Sequence, residues 1–318
     1  MNESGVSRRV FLSAAGLAAV AAACGGDDTK TEAGAGGGAG ATSTSVPGLQ
    51  PLNAQVASQD LYVGGEQRLA IGIFRLKADE TIELVQGEEV IVELTPPNET
   101  ARPPQAATFH ADGLPPDRGV YVTHAVFDTA GVWDALVTVG DLKASVAFEV
   151  KDEPSAPKEG SRLPSVKTPT TADPADVDPI CTRTPACPFH AVSLDDALGG
   201  DLPIVVMIST PAFCTSRVCG PVLDLMVDLA PEFDERATFI HIEVWKDNQA
   251  QEFAPAVAAF GIETEPWVFA AEPGGAVAAR LDGAFDRTEV RGLIESVTGA
   301  ADAADEDGAT SSSEADDG

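Results

Sequence analysis

The sequence predicts a multidomain chain in which an all-β antiparallel sandwich over residues 55–151 precedes an α/β domain over residues 179–300. Residues 55–151 hold short alternating apolar runs between turn residues, rich in β-branched and aromatic side chains and without a helical period. Residues 179–300 instead alternate apolar strand-like runs with segments of helical spacing. Between them Pro154, Pro157, Pro164, Pro169 and Pro174 mark residues 152–178 as an extended, semi-rigid spacer.

The first β run is Gln67–Phe74, followed by Thr81–Val85, Val90–Leu94, Ala106–His110, Val120–Phe127, Val132–Val139 and Lys143–Val150. The stretch from Gly119 to Trp133 is similar to the late hairpin of bacterial immunoglobulin-like domains, with Gly131 at the turn and Trp133 in the core. That resemblance implies an immunoglobulin-like sandwich.

In the second region Ser193 and Asp196 have capping-box spacing and open a short helix through Leu198. Pro203–Ile208 is a continuous apolar run suited to a buried strand. A cysteine-bearing loop leads to a helix over residues 221–233, with proline in its first turn and Val222, Leu225, Met226 and Leu229 at helical spacing. Ala237–Val244 follows as a strand, Asn248–Phe260 as a helix, and Trp267–Ala270 with Ala276–Leu281 as a strand pair across Gly274-Gly275. Asp286 and Glu289 cap a final helix to Val297.

The chain has 318 residues, with 50 acidic against 20 basic groups and a formal net charge of -30. Such a surface repels nucleic acid and anionic lipid headgroups, so neither is expected as a partner. An apolar fraction of 44% is enough for a sizeable core. The acid is spread along the whole chain, as a general surface property would be. Residues 301–318 carry acidic charges only and read as a disordered acidic tail.

The N-terminus reads as an address. Arg8-Arg9 before Phe11-Leu12 resembles a twin-arginine export signal. The apolar run from Val10 to Ala23 is too short to span roughly 30 Å of hydrocarbon and fits a signal peptide over residues 1–23. Ala21-Ala22-Ala23-Cys24 resembles a lipobox, although Ala21 departs from the preferred Leu. Cys24 is therefore the expected lipidation site, with ordinary cleavage after Ala23 as the alternative. Residues 24–54, rich in Gly, Ala, Ser and Thr, read as a flexible tether. The mature protein is expected to be extracytoplasmic, anchored to the outer face of the cell membrane.

The chemistry is carried by cysteines. The run from Ile204 to Asp224, Ile-Val-Val-Met-Ile-Ser-Thr-Pro-Ala-Phe-Cys-Thr-Ser-Arg-Val-Cys-Gly-Pro-Val-Leu-Asp, resembles the strand, loop and helix of thioredoxin-like proteins. Thr264-Glu265-Pro266-Trp267 stands where that family places its cis-proline. The resemblance implies an α/β thioredoxin-like domain and a thiol-disulfide oxidoreductase. It makes Cys214 the attacking thiol, Cys219 the resolving one, and Glu265, cis-Pro266 and Trp267 the contacts to a protein thiol or disulfide. No cofactor is implied.

The spacing departs from the family, since four residues separate Cys214 from Cys219 where it has two. On a regular helix the two thiols would lie about 140° apart, so they can pair only if Thr215–Val218 loop out ahead of the helix. Pro221 then places Cys219 near the N-cap, where the helix dipole favours a thiolate, and Arg217 offers a positive neighbour. Two readings stay open, a redox-active pair and a static disulfide in a non-catalytic surface scaffold.

Cys181 and Cys187 read as a structural disulfide closing a short loop, in keeping with an extracytoplasmic chain. The alternative is a copper-handling module, in which Cys181, Cys187 and His190 join Cys214 or Cys219 as ligands. His110, His124 and His241 fall on predicted strands without clustered ligands and read as packed or surface histidines.

Overall fold

The alternating runs of the N-terminal half become eight antiparallel strands in a computed structural model that describes residues 51–299. The signal region 1–23, Cys24, the tether up to residue 50 and the acidic tail 301–318 lie outside the described residues. The strands are β1 (Leu52–Val56), β2 (Glu66–Leu76), β3 (Ile82–Leu84), β4 (Val90–Thr95), β5 (Gln105–His110), β6 (Val120–Val126), β7 (Gly131–Val139) and β8 (Leu142–Val150). Strand β1 begins inside the stretch that composition reads as tether. In β7 alternate residues are buried, and Trp133 among them is wholly enclosed. Its indole N–H donates to the Thr129 carbonyl at 2.8 Å, and Phe127 meets its ring edge-on at 5.0 Å.

These strands do not make the immunoglobulin-like sandwich that the sequence suggests. They form one sheet in the order β1-β2-β6-β5-β4-β7-β8, with β3 added beside β2, and it curls until β1 comes up against β8. The reason is β5. Its first half pairs with β4 through Gln105, Ala106 and Ala107, and its second half pairs with β6 through Thr108, Phe109 and His110. One strand thereby joins what would have been two facing sheets.

The expected α/β thioredoxin-like domain is likewise overturned. The C-terminal half adds β9 (Ile204–Ser209), β10 (Thr238–Glu243), β11 (Trp267–Ala271) and β12 (Val277–Asp282), a four-stranded mixed sheet in the order β10-β9-β11-β12. Only β9 and β10 are parallel. Helices α1 (Leu194–Ala197) and α3 (Pro255–Ala259) are about one turn each, leaving α2 (Cys219–Leu229) and α4 (Arg287–Thr298) as the substantial ones. Strand thus outweighs helix among the described residues, and the chain is mostly β.

Two local causes shorten the helices. Residues 248–254 stay irregular because Phe253 bridges back to Trp245 and stacks on its ring at 4.9 Å, so α3 starts only at Pro255. The Ser193 hydroxyl accepts from the Thr168 N–H instead of capping α1. Helix α4 has a full capping box, with the Asp286 side chain accepting from the Glu289 N–H and the Glu289 carboxylate accepting from the Asp286 N–H.

All six residues of β9 are buried. One face of the sheet packs Ile204, Val206 and Ile208 with Phe260, Trp267 and Phe269, joined by Ala156, Leu163 and Val177 from the proline-rich segment. That segment is coil, but it is packed onto the sheet. The other face packs Val205 and Met207 under α2 and α4, through Val222, Leu223, Met226 and Ile294.

Buried ion pairs join the two sheets. Arg68 on β2 donates to Glu289 on α4 at 2.9 Å and to the Ala284 carbonyl at 2.6 Å, with both charged side chains 10% exposed. Asp60, 4% exposed, accepts from Arg280 on β12 at 3.0 Å and from Lys151 at 2.9 Å. Among the described residues no helix is long and apolar enough to cross a membrane.

Removing one member of such a pair strands a buried charge, which costs more than the pair itself contributes. Replacing Arg68 with Met, which keeps the bulk and deletes the charge, is expected to lower the unfolding free energy by about 3 kcal/mol in urea titrations.

Candidate functional site

The end of β9 organises two clusters. From Thr210 the chain leaves the sheet, runs through residues 211–218 as a loop and enters α2 at Cys219. Cys214 and Cys219 are joined by a disulfide across that loop, with Cα atoms 6.0 Å apart. Thr215–Val218 loop out ahead of the helix, as the five-residue separation requires, and Arg217 takes left-handed backbone at φ 61°. Cys219 is the first helical residue, wholly buried, and its N–H points at the Cys214 sulfur at 3.3 Å. Cys214 is half-buried, with the Ser216 hydroxyl 3.2 Å from its sulfur. Arg217 itself is exposed.

Glu265 lies beside this disulfide. A carboxylate oxygen sits within 4.8 Å of both sulfurs, and the carboxylate accepts from the Thr210 N–H at 2.8 Å. Burial pushes its pKa up to about 7 and the nearby Glu243 carboxylate adds to the rise, while the Thr210 N–H opposes both. The Glu265–Pro266 peptide is cis. Trp267 turns inward: it is 2% exposed, its indole N–H donates to the Thr264 carbonyl at 3.0 Å, and its ring stacks on Phe269. Pro266 is buried as well. Glu265 is thus the member of this trio that faces the disulfide.

A cleft of about 520 Å3 opens beside the pair. Gln55, Ser58 and Gln59 of the N-terminal half line one side, and Thr215, Ser216 and Glu265 line the other. Gln59 also donates to the Glu265 carbonyl at 2.9 Å. The first sheet therefore forms a wall of the site.

The second cluster gathers Cys181, Cys187, His190 and His241. Cys181 and Cys187, expected as a disulfide, carry free thiols with their sulfurs 3.8 Å apart. Both also face imidazoles. His190 Nε2 is 3.3 Å and His241 Nδ1 is 3.5 Å from the Cys187 sulfur, and the two nitrogens are 3.3 Å apart. The hydrogen bond shared with Cys187, and then those from the two histidines, hold the Cys181 thiol far below its ordinary pKa; the Cys187 thiol is driven up by the same shared bond and by burial.

Irregular chain and sheet both build this cluster. The segment carrying Cys181 to His190 lies along the free edge of β10, where the His241 N–H donates to the Phe189 carbonyl at 3.1 Å and Phe189 stacks on Phe239. His241 was missed as a site residue because it lies 51 positions beyond His190, and only the docking of the Cys181–His190 segment on the edge of β10 brings the two together. The available signal was a histidine inside the apolar alternation of a core strand. Cys214 and Cys219 are not part of this group. Thr182 links the two clusters, donating to the buried Glu243 at 2.8 Å and accepting from the Ala212 N–H at 3.1 Å.

In comparisons with known proteins no family model matches the chain, and no curated protein and no solved structure is significantly similar.

Glu265 makes the disulfide-bonded protein sensitive to pH. Its folded pKa lies above its unfolded one, so stability is full below the unfolded value of 4.5 and is lost as pH rises through about 7. Urea midpoints of the oxidised protein are expected to fall between about pH 5 and about pH 8, and Glu265→Gln is expected to flatten that fall.

Proposed function

We propose that the protein is a thiol-disulfide oxidoreductase acting on protein disulfides through Cys214 and Cys219. The observation that carries this reading is the half-buried carboxyl of Glu265 against both sulfurs, with a pKa near neutrality. A disulfide that merely staples a loop gains nothing from a desolvated acid beside it, whereas exchange needs a group that gives and takes a proton near pH 7.

In the reduced protein the Cys214 thiolate attacks a sulfur of the partner disulfide. A mixed disulfide forms, and the partner's first sulfur leaves as a thiolate that takes up a proton. Glu265 then accepts the proton of Cys219. The resulting thiolate attacks the Cys214 sulfur, closes the internal disulfide and releases the partner's second sulfur. Two electrons pass to the partner, and the reverse sequence oxidises a partner dithiol. The exposure of the two cysteines supports these roles, because Cys214 is half-buried while Cys219 is fully enclosed. The N-terminus of α2 favours thiolate at Cys219. The adjoining cleft of about 520 Å3 offers a place for a partner chain beside the pair.

The proposed setting is the outer face of the cell membrane, with the protein tethered through a lipid on Cys24. No cofactor enters the exchange.

Cys219→Ser is expected to accumulate mixed disulfides through Cys214, visible as reducible adducts on non-reducing gels. Cys214→Ser is expected to accumulate none. Glu265→Gln is expected to slow disulfide exchange about 100-fold near neutral pH, the scale of lost general acid-base catalysis, and to remove the inflection near pH 7. If no adduct forms with Cys219→Ser and the exchange rate is unchanged in Glu265→Gln, the pair is a staple.

A further inference from the structure

We propose that Cys181, Cys187, His190 and His241 form a closed tetrahedral zinc site, separate from the redox pair. Four of the six edges of the cluster match those of a coordination tetrahedron, and the other two, from the Cys181 sulfur to the ring nitrogens, are within 4.8 Å. Zinc bound to sulfur at about 2.3 Å and to nitrogen at about 2.0–2.1 Å implies sulfur-sulfur, nitrogen-nitrogen and sulfur-nitrogen edges of about 3.8, 3.3 and 3.5 Å. The corresponding separations are 3.8 Å for the two sulfurs, 3.3 Å for the two nitrogens, and 3.3 and 3.5 Å from the Cys187 sulfur to the two nitrogens.

The hydrogen-bond partners set each imidazole for coordination. His241 Nε2 lies 3.1 Å from both the Ser209 carbonyl oxygen, which only accepts, and the Ser209 hydroxyl, which can accept as well, so a proton on Nε2 serves both and Nδ1 presents its lone pair to the cluster. His190 Nδ1 faces the Pro169 carbonyl oxygen at 3.4 Å, leaving Nε2 free in the same way. The Cys187 N–H points at the Cys181 sulfur at 3.5 Å, as a backbone donor does toward a ligating thiolate. The two ring nitrogens that turn toward each other thus both carry lone pairs, an arrangement that a shared cation explains and a direct contact does not.

Charge and burial point the same way. The four residues are between 0% and 9% exposed. Two thiolates and two neutral imidazoles around a divalent cation make a neutral centre, which the interior tolerates. Tetrahedral sulfur and nitrogen ligation favours zinc and excludes calcium and magnesium, which take oxygen. Four protein ligands leave no open position, so the ion is structural. It would pin the irregular segment from Cys181 to His190 to the edge of the sheet, a task that a local disulfide between Cys181 and Cys187 would not perform.

The test uses the mature full-length chain. Elemental analysis is expected to find one zinc per chain. After removal by a chelator, cobalt(II) is expected to give the intense visible bands of a tetrahedral ion together with thiolate charge-transfer absorption, both bleached by one equivalent of zinc. Cys187→Ser is expected to lose these bands, and Cys214→Ser to keep them, which separates this site from the redox pair. A wild-type protein without metal and without a tetrahedral cobalt spectrum would overturn the proposal, as would a Cys181–Cys187 disulfide in its peptide map or copper in place of zinc. These readouts need only the wild-type chain, so a variant that fails to fold leaves the proposal open to refutation.

Discussion

Strand β9 is the constraint on which the rest depends. Six consecutive buried residues can be satisfied only between two other strands with a layer on each face, and β10, β11, the helices and the proline-rich segment supply those neighbours. Where the strand ends, two adjacent residues turn to two different tasks. The carbonyl of Ser209 fixes the tautomer and orientation of His241, while the N–H of Thr210 holds the carboxylate of Glu265. Both clusters are therefore aimed by a backbone that cannot shift without opening the core. This is the support that a precise site requires.

The first sheet enters the site through packing. Val218, the residue before Cys219, is buried with Ala70, Val120 and Val122 of the first sheet and Ala284. Close by, Gly283 adopts φ 69° where any side chain would run into the Ala57 carbonyl, so glycine permits the close approach of the residue that follows β1 to the turn that follows β12. The ion pairs of Arg68 with Glu289 and of Asp60 with Arg280 hold the same junction. The N-terminal half thus shapes the cleft, and a partner entering it would meet both halves of the chain.

Much of the local structure was legible in the sequence, because it depends on neighbours in the chain. Alternation located the strands from Glu66 to Val150, and Asp286 with Glu289 marked the start of α4. The separation of Cys214 from Cys219 required the loop that forms. What failed was non-local. Nothing in Gln105–His110 announces that one short strand will pair on both sides and fuse two sheets into one. The helical reading of residues 248–260 gave way to tertiary contacts, with Phe253 stacking on Trp245, and the α/β class drawn from alternating elements and the thioredoxin resemblance gave way to a mostly β chain. Cys181, Cys187 and His190 stood out in one short segment, but His241 joins them only where that segment docks on the edge of β10. A lone histidine on an apolar strand carries little warning of its neighbours. Glu265 was named for its place beside the cis-proline, yet its proximity to the sulfurs and its raised pKa come from the fold.

The central claim is that the Cys214–Cys219 pair is poised to exchange, with Glu265 as its proton carrier. The most direct measurement is the reduction potential of this pair in the mature chain, by equilibration with glutathione or dithiothreitol buffers and mass analysis of the alkylated protein. The account predicts a potential above about -300 mV, within reach of protein redox partners. A potential below that value, in the range of inert structural disulfides, would contradict it.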